Sequence, residues 1–256
     1  MPHGEPPVLW QFRFSHFNEK ARWALDWKGI EHIRRSLVPG LHVPQVLWLT
    51  GRKSVPVLVL DGKSIADSTS IIAALEERWP DPPLYPSDPT ERRRALALED
   101  YFDEELGPHI RRALFHDLLP DTDAAVGALT VGCGPVVRGV YRSVFPLFRA
   151  VMRMDMRIDE AGARLGRERT VAALDRVARE LQPSGYLVGD RFGVADLTAA
   201  ALLSPLPFPP EFPYQPDITV PEAITSFRAS VAEHPAFRWV ETMYRRHRGT
   251  SVERAA

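Results

Sequence analysis

The sequence predicts an α/β domain followed by an all-α domain, and three observations carry that expectation. Strand-like and helix-like segments alternate over residues 1–86. The stretch PDPPLYPSDP at 80–89 places five prolines in ten residues, which neither a helix interior nor a central strand accepts. Beyond it the apolar spacing is helical almost to the end of the chain. The expected organisation is a first domain at 1–82, a proline-rich linker at 83–89 and a helical domain at 90–256.

Each element has a local reason. PVLWQF (7–12) is a short apolar run of the kind a buried strand requires. After Phe14 and Ser15 comes HFNEKARWALDWK, with Phe17, Ala21, Ala24 and Leu25 on one helical face. Gly29 suits the C-terminal cap of that helix. Residues 30–38 read as a second strand, and Pro39-Gly40 turns the chain. In VPVLVLDGKSIA (55–66) two β-rich runs flank Asp61-Gly62, a strong hairpin signal. Asp67-Ser68 then opens a helix that runs to Trp79. The order is β-α-β, a connection, and β-β-α. Further helices are expected at 90–118 with a break at Gly107-Pro108, and at 122–157, 158–182, 193–204, 221–233 and 235–248. The proline-rich segment 204–221 is expected to be an ordered surface loop. No internal repeat and no coiled-coil heptad is evident.

Composition bounds the function. The chain has 256 residues, 45% apolar and 25% charged, enough to bury a sizeable core without disulfides or metals. Its single cysteine, Cys133, excludes an internal disulfide, a Cys-X-X-Cys redox pair and a cysteine zinc cage. The N-terminus shows no leader pattern, and no apolar run is long enough to span a membrane. A soluble protein of a reducing, cytoplasmic compartment is expected, without stable membrane insertion. The net charge of −1 speaks against a nucleic-acid partner. Histidine spacing matches no metal motif, and no Gly-X-Ser-X-Gly elbow is present.

Three local features share one further pattern. The first is Ser15 through Arg22, at the junction of strand and helix. The second is Val55-Pro56 opening a strand, with Asp67-Ser68 at the next helix start. The third is Tyr186 through Asp196 in the helical half. In this order and spacing, nearly the whole chain outside 204–221 resembles the glutathione S-transferase family. The resemblance implies a thioredoxin-like β-α-β-β-β-α domain, a C-terminal helical bundle, glutathione as cosubstrate and a homodimer. The protein would stabilise the glutathione thiolate for attack on a small-molecule electrophile. Alternatives are a non-catalytic ligand-binding relative, or a transferase using another low-molecular-weight thiol.

The resemblance also implies roles. A cis bond at Val55-Pro56 would turn the Val55 backbone outward to pair with the cysteinyl part of the peptide; cis is otherwise rare, about 5–6% of X-Pro bonds. Ser68 would hold the γ-glutamyl carboxylate at a helix N-terminus, and Asp67 would pair with the amine. Both also suit a plain helix cap. Lys53 would meet the glycine carboxylate, with His42 and Arg13 as rivals. Ser15 stands where the family places its catalytic residue, making the chain Ser-type. Lowering a thiol from about 8.5 to about 6.5 takes roughly 2.7 kcal/mol. A charge-assisted hydrogen bond contributes about 1.5–3 kcal/mol, and a helix N-terminus about 0.3–1 kcal/mol. The two suffice without a metal. His16 stands where many Ser- or Cys-type relatives have Pro, and Asn18 where thiol-disulfide relatives can carry a second Cys; with neither cysteine present, glutaredoxin-like disulfide exchange by this site is excluded. Asp196 is expected to cap a buried helix. Arg138, Arg142, Arg149, Arg153 and Arg157 recur at helical spacing, a stripe that could meet an anionic membrane or a partner and that reads first as a solvated face. The electrophile is expected against helices near 101–118 and the 204–221 segment.

Overall fold

The computed structural model describes residues 5–254; the part of the leader expectation that concerns residues 1–4 lies outside them. Four strands form one mixed sheet in the order β2-β1-β3-β4. They are β1 (Val8–Gln11), β2 (Ile33–Ser36), β3 (Val57–Leu60) and β4 (Lys63–Ala66). β1 pairs parallel to β2 through the crossover helix α1 (His16–Trp27), and antiparallel to β3. Asp61 and Gly62 both have positive φ, 49° and 74°, which a two-residue hairpin of this hand requires. Helix α3 (Ser68–Arg78) packs on α1.

The connection between β2 and β3 holds a helix the sequence pattern did not announce, α2 (Val43–Thr50). Pro44 starts it and Gly51, at φ 69°, stops it. Of its residues only Val46 is buried, while Leu47 and Trp48 face outward, so no amphipathic period marks it.

The helical part comprises α4 (Pro89–Tyr101), α5 (Gly107–Leu118), α6 (Thr122–Leu129), α7 (Pro135–Asp155), α8 (Glu160–Glu180), α9 (Val194–Leu203), α10 (Glu222–Val231) and α11 (Pro235–His247). Two expectations change here. The break at Gly107-Pro108 is instead a π-turn, Phe102–Leu106, that carries α4 into α5. A wider turn absorbs the hydrogen bond that Pro108 cannot donate. Gly107 is required by close approach: a Cβ there would lie 2.2 Å from Cζ of Phe17. The expected 122–157 helix is two, parted at Thr130–Gly134, where Gly132 has φ 73°.

Helix α9 is buried throughout and lies against α1, α4 and α11. Asp196 holds its start: one carboxylate oxygen accepts the Leu187 N–H at 2.8 Å, the other the Gly193 N–H at 3.0 Å. Burial pushes this carboxyl up to about 7. On α7, Tyr141 and Phe145 face the core. Arg138, Arg142 and Arg153 are exposed, and Arg142 pairs with Asp123. The arginine face is only half of what this helix shows. Val137, Val140, Val144, Leu147, Val151 and Met154, spaced alternately three and four apart, are exposed too.

Candidate functional site

The sheet register gathers the singled-out residues. Trp10 lies opposite Val57, and Val57 opposite Ala66. The segment after β1 with Ser15, the segment before β3 with Val55-Pro56, and Asp67-Ser68 after β4 therefore meet at one end of the sheet. β2 runs parallel to β1, so Pro39 and His42 reach that end too; the rings of Phe12 and His42 lie 4.6 Å apart, edge to face.

Ser15 is the N-cap of α1 in extended conformation. Its Oγ accepts the Asn18 backbone N–H at 3.4 Å and the Asn18 side-chain amide at 2.7 Å. The Phe12 N–H donates to Asn18 Oδ1 at 3.3 Å, which fixes that amide with its nitrogen toward Ser15. The hydroxyl thus has its acceptor capacity used and its own proton free to donate, and it lines a cleft. The loop carrying it is pinned from behind by Arg22, which is fully buried. Its guanidinium donates to Gln11 Oε1 at 2.7 Å, the Phe12 carbonyl at 3.1 Å, the Ser15 carbonyl at 3.4 Å and Glu19 at 2.8 Å. Glu19 also receives Arg248 from the far end of the chain at 2.5 Å.

His16 is buried and structural. Its Nε2 meets the Gly107 carbonyl at 3.1 Å, and burial, helped by Arg111, pushes its pKa down to about 3. It is neutral and ties the loop to the start of α5.

Val55–Pro56 is cis. The Val55 N–H and C=O make no hydrogen bond among the described residues. Asp67 sits at φ 81° and ψ 136°, a region that costs a non-glycine residue about 1–3 kcal/mol. Its N–H donates to the Pro56 carbonyl at 3.3 Å, and its Oδ1 accepts from the N–H groups of Thr69 at 2.9 Å and Ser70 at 3.2 Å. Ser68 is buried, and neither its hydroxyl nor its N–H is engaged within the described chain. The helix start is anchored to the helical part through Thr69, which donates to Asp103 at 2.6 Å and accepts from Lys20 at 2.7 Å. Lys53 is placed differently from the other residues. Its ammonium pairs with Asp155 on α7, and its carbonyl meets His42 Nε2 at 2.8 Å. Arg13, the other rival, donates to the Val131 carbonyl at 3.1 Å.

Beside Ser15 the cleft holds about 1090 Å³ counted to its open mouth. Its wall is apolar: Phe14, Leu114, Phe115, Met152, Phe208 and Phe212 contribute. The 204–221 segment folds back over the loop after β1 and is no simple surface loop. Tyr214 accepts from Gln11 at 3.0 Å and lies under Arg22, and Phe208 packs on Phe14. Sequence reasoning passed over Asn18 as an orienting group and Arg22 as the pin. Both sit inside the quoted Ser15–Arg22 motif at helical spacing from Ser15, the signal that could have found them. Among the described residues no cluster of His, Cys, Asp or Glu could hold a metal ion.

Residues 9–83 match the family model described as "Glutathione S-transferase, N-terminal domain". A probable glutathione S-transferase parA of Nicotiana tabacum is 35% identical over 101 residues, covering 39% of this chain and 46% of the relative. Glutathione S-transferase U22 of Arabidopsis thaliana is 34% identical over 101 residues, with the same coverage of 39% and 46%. The chain thus spans about half the length of the curated relatives it matches. In fold, a glutathione S-transferase from Rhodospirillum rubrum superposes with a TM-score of 0.59 at 22% identity, covering 91% of both chains. One from Xanthobacter autotrophicus gives 0.61 at 18% identity, covering 92% of this chain and 91% of that one. The fold is that of these structures, and residues 9–83 carry the N-terminal domain of the glutathione S-transferase family.

Proposed function

We propose that the cleft is the active site of a Ser-type glutathione transferase. The observation that carries this is the Ser15 hydroxyl, whose acceptor capacity Asn18 fills while its proton stays free toward the cleft. In this reading glutathione lies extended along the free Val55 backbone, its γ-glutamyl carboxylate at Ser68 and its amine near Asp67. The unengaged Ser68 groups and the strained Asp67 backbone support that pose. Lys53 is the weakest member of the set, since Asp155 already holds it; His42 and Arg13 stay in contention for the glycine carboxylate.

The chemistry is small in number of steps. The thiol gives its proton to solvent, and the thiolate accepts the Ser15 O–H. Its sulfur then forms a bond to an electrophilic carbon, and the leaving group departs with its electron pair or, in an addition, the pair moves onto the acceptor. The protein contributes thiolate stabilisation and proximity. The apolar wall from α5 and the 204–221 segment would hold the electrophile. The same reading takes the chain as a homodimer of the cytoplasm. No described helix is long and apolar enough to cross a membrane. The test is Ser15→Ala assayed for glutathione binding and for conjugation across a panel of electrophiles. Binding retained with turnover lost supports the reading; turnover equal to wild type removes Ser15 from the chemistry.

A further inference from the structure

The apolar wall of the cleft contains two guanidinium groups, Arg111 and Arg228, without a carboxylate partner among the described residues. Arg111 on α5 lines the cleft and makes no hydrogen bond or ion pair among the described residues. The carboxylate whose field reaches it is Asp155, and Lys53 on the loop before β3 is the group that pairs with that residue. Arg228 on α10 donates twice to the Pro205 carbonyl, at 3.2 and 2.9 Å, and lies over the Phe208 ring; it too has no carboxylate partner among the described residues. Among the described residues no Asp or Glu lines the cleft, and His16 beside Arg111 is neutral. Burial disfavours the charge on both arginines. A guanidinium left in a mostly apolar wall is costly unless something anionic completes it, and the wall's own residues supply nothing.

We propose that the second substrate is an amphipathic anion: an aromatic or alkyl body seated on Phe115, Phe208 and Phe212, with a carboxylate or sulfonate paired to Arg111 and, at the outer side, Arg228. This deepens the transferase reading and rests on it for the word substrate. The binding claim does not need glutathione. An uncharged body of the same shape fills the apolar surface but leaves Arg111 unpaired, so it binds less tightly. The alternative source of negative charge is the glutathione thiolate itself, and the experiment separates the two.

The experiment compares the dye anilinonaphthalene sulfonate with its uncharged parent N-phenylnaphthylamine on the full-length protein, by fluorescence titration, for wild type, Arg111→Gln and Arg111→Lys. The wild type is expected to favour the sulfonate about tenfold or more, the range of a charge-assisted pair. Arg111→Gln is expected to abolish that preference while the uncharged dye binds as before, and Arg111→Lys to restore part of it. Calorimetric glutathione binding and thiolate titration are expected to be the same in Arg111→Gln as in wild type. Equal affinity of wild type for both dyes overturns the proposal. So does equal weakening of both dyes in Arg111→Gln, which is a packing effect. A shifted thiolate titration with the dye preference intact overturns it as well, because Arg111 then serves the thiol. If wild type does not bind glutathione yet keeps an Arg111-dependent sulfonate preference, the transferase reading falls and this site stands.

Discussion

The two walls of the cleft are built by opposite means. The wall around Ser15 is polar and over-determined: Ser15 is set by Asn18, its loop by Arg22, and Arg22 by Glu19 and Gln11, with Asn18, Arg22, Glu19 and Gln11 all buried. The facing wall is aromatic and aliphatic, drawn from α5, α7 and a segment rich in proline. Hydrogen bonds have direction, so the first wall can hold one hydroxyl in one orientation. Apolar contact has none, so the second wall selects by shape and by its two isolated charges. In the proposed function, fixed chemistry therefore falls to the side with long-range polar ties, and substrate choice to the side without them.

The largest expected effect tests whether the polar wall depends on its pin. Arg22→Met leaves the loop carbonyls unsatisfied and removes one partner of buried Glu19. Urea unfolding should show a loss of about 3–5 kcal/mol, the range for breaking a buried ion pair. A loss below about 1 kcal/mol would mean the loop is held by something else.

Next is the tie between the walls. Folded His16 stays neutral down to about pH 3, whereas in the unfolded chain a histidine titrates near 6.5. Between these values the unfolded state binds more protons, so stability is present above about pH 6.5 and is lost as pH falls toward 3. At pH 5 the effect is about 2 kcal/mol. His16→Gln should flatten that part of the stability profile relative to wild type; parallel profiles would show that His16 is accessible to protons when folded.

Asn18→Ala frees the Ser15 hydroxyl to rotate and should lower kcat/KM about tenfold with little change in glutathione affinity, the size of one hydrogen bond. The smallest effect belongs to the apolar wall. Phe208→Ala should raise KM for an aromatic electrophile a few-fold and leave glutathione binding alone. If it moves glutathione binding instead, the two walls are not separate in function.

How much of this was legible depends on whether the cause is local. The hairpin at Asp61-Gly62, the cap at Asp67 and the Asp196 carboxylate on the Gly193 N–H follow from turn and cap chemistry within a few residues. Helix α2 escaped because one buried residue makes no period. On α1 the spacing of Ala21, Ala24 and Leu25 marks a buried face, yet Glu19, Lys20 and Arg22 are buried as well, because their environment comes from Glu99, Asp103, Tyr214 and Arg248, distant in sequence. For α7 the converse holds, with apolar residues left outside. Ser15 could be singled out by its place before a helix. Arg111 could not, since only the packed structure shows that nothing answers its charge.

The central claim is that Ser15 stabilises a thiolate. Its most direct test is the ultraviolet absorbance of glutathione thiolate bound to wild type and to Ser15→Ala, titrated against pH. The account predicts a thiol pKa about 1–2 units below its free value on wild type, and a return of most of that shift in Ser15→Ala with glutathione still bound. Identical titrations for the two proteins would contradict it.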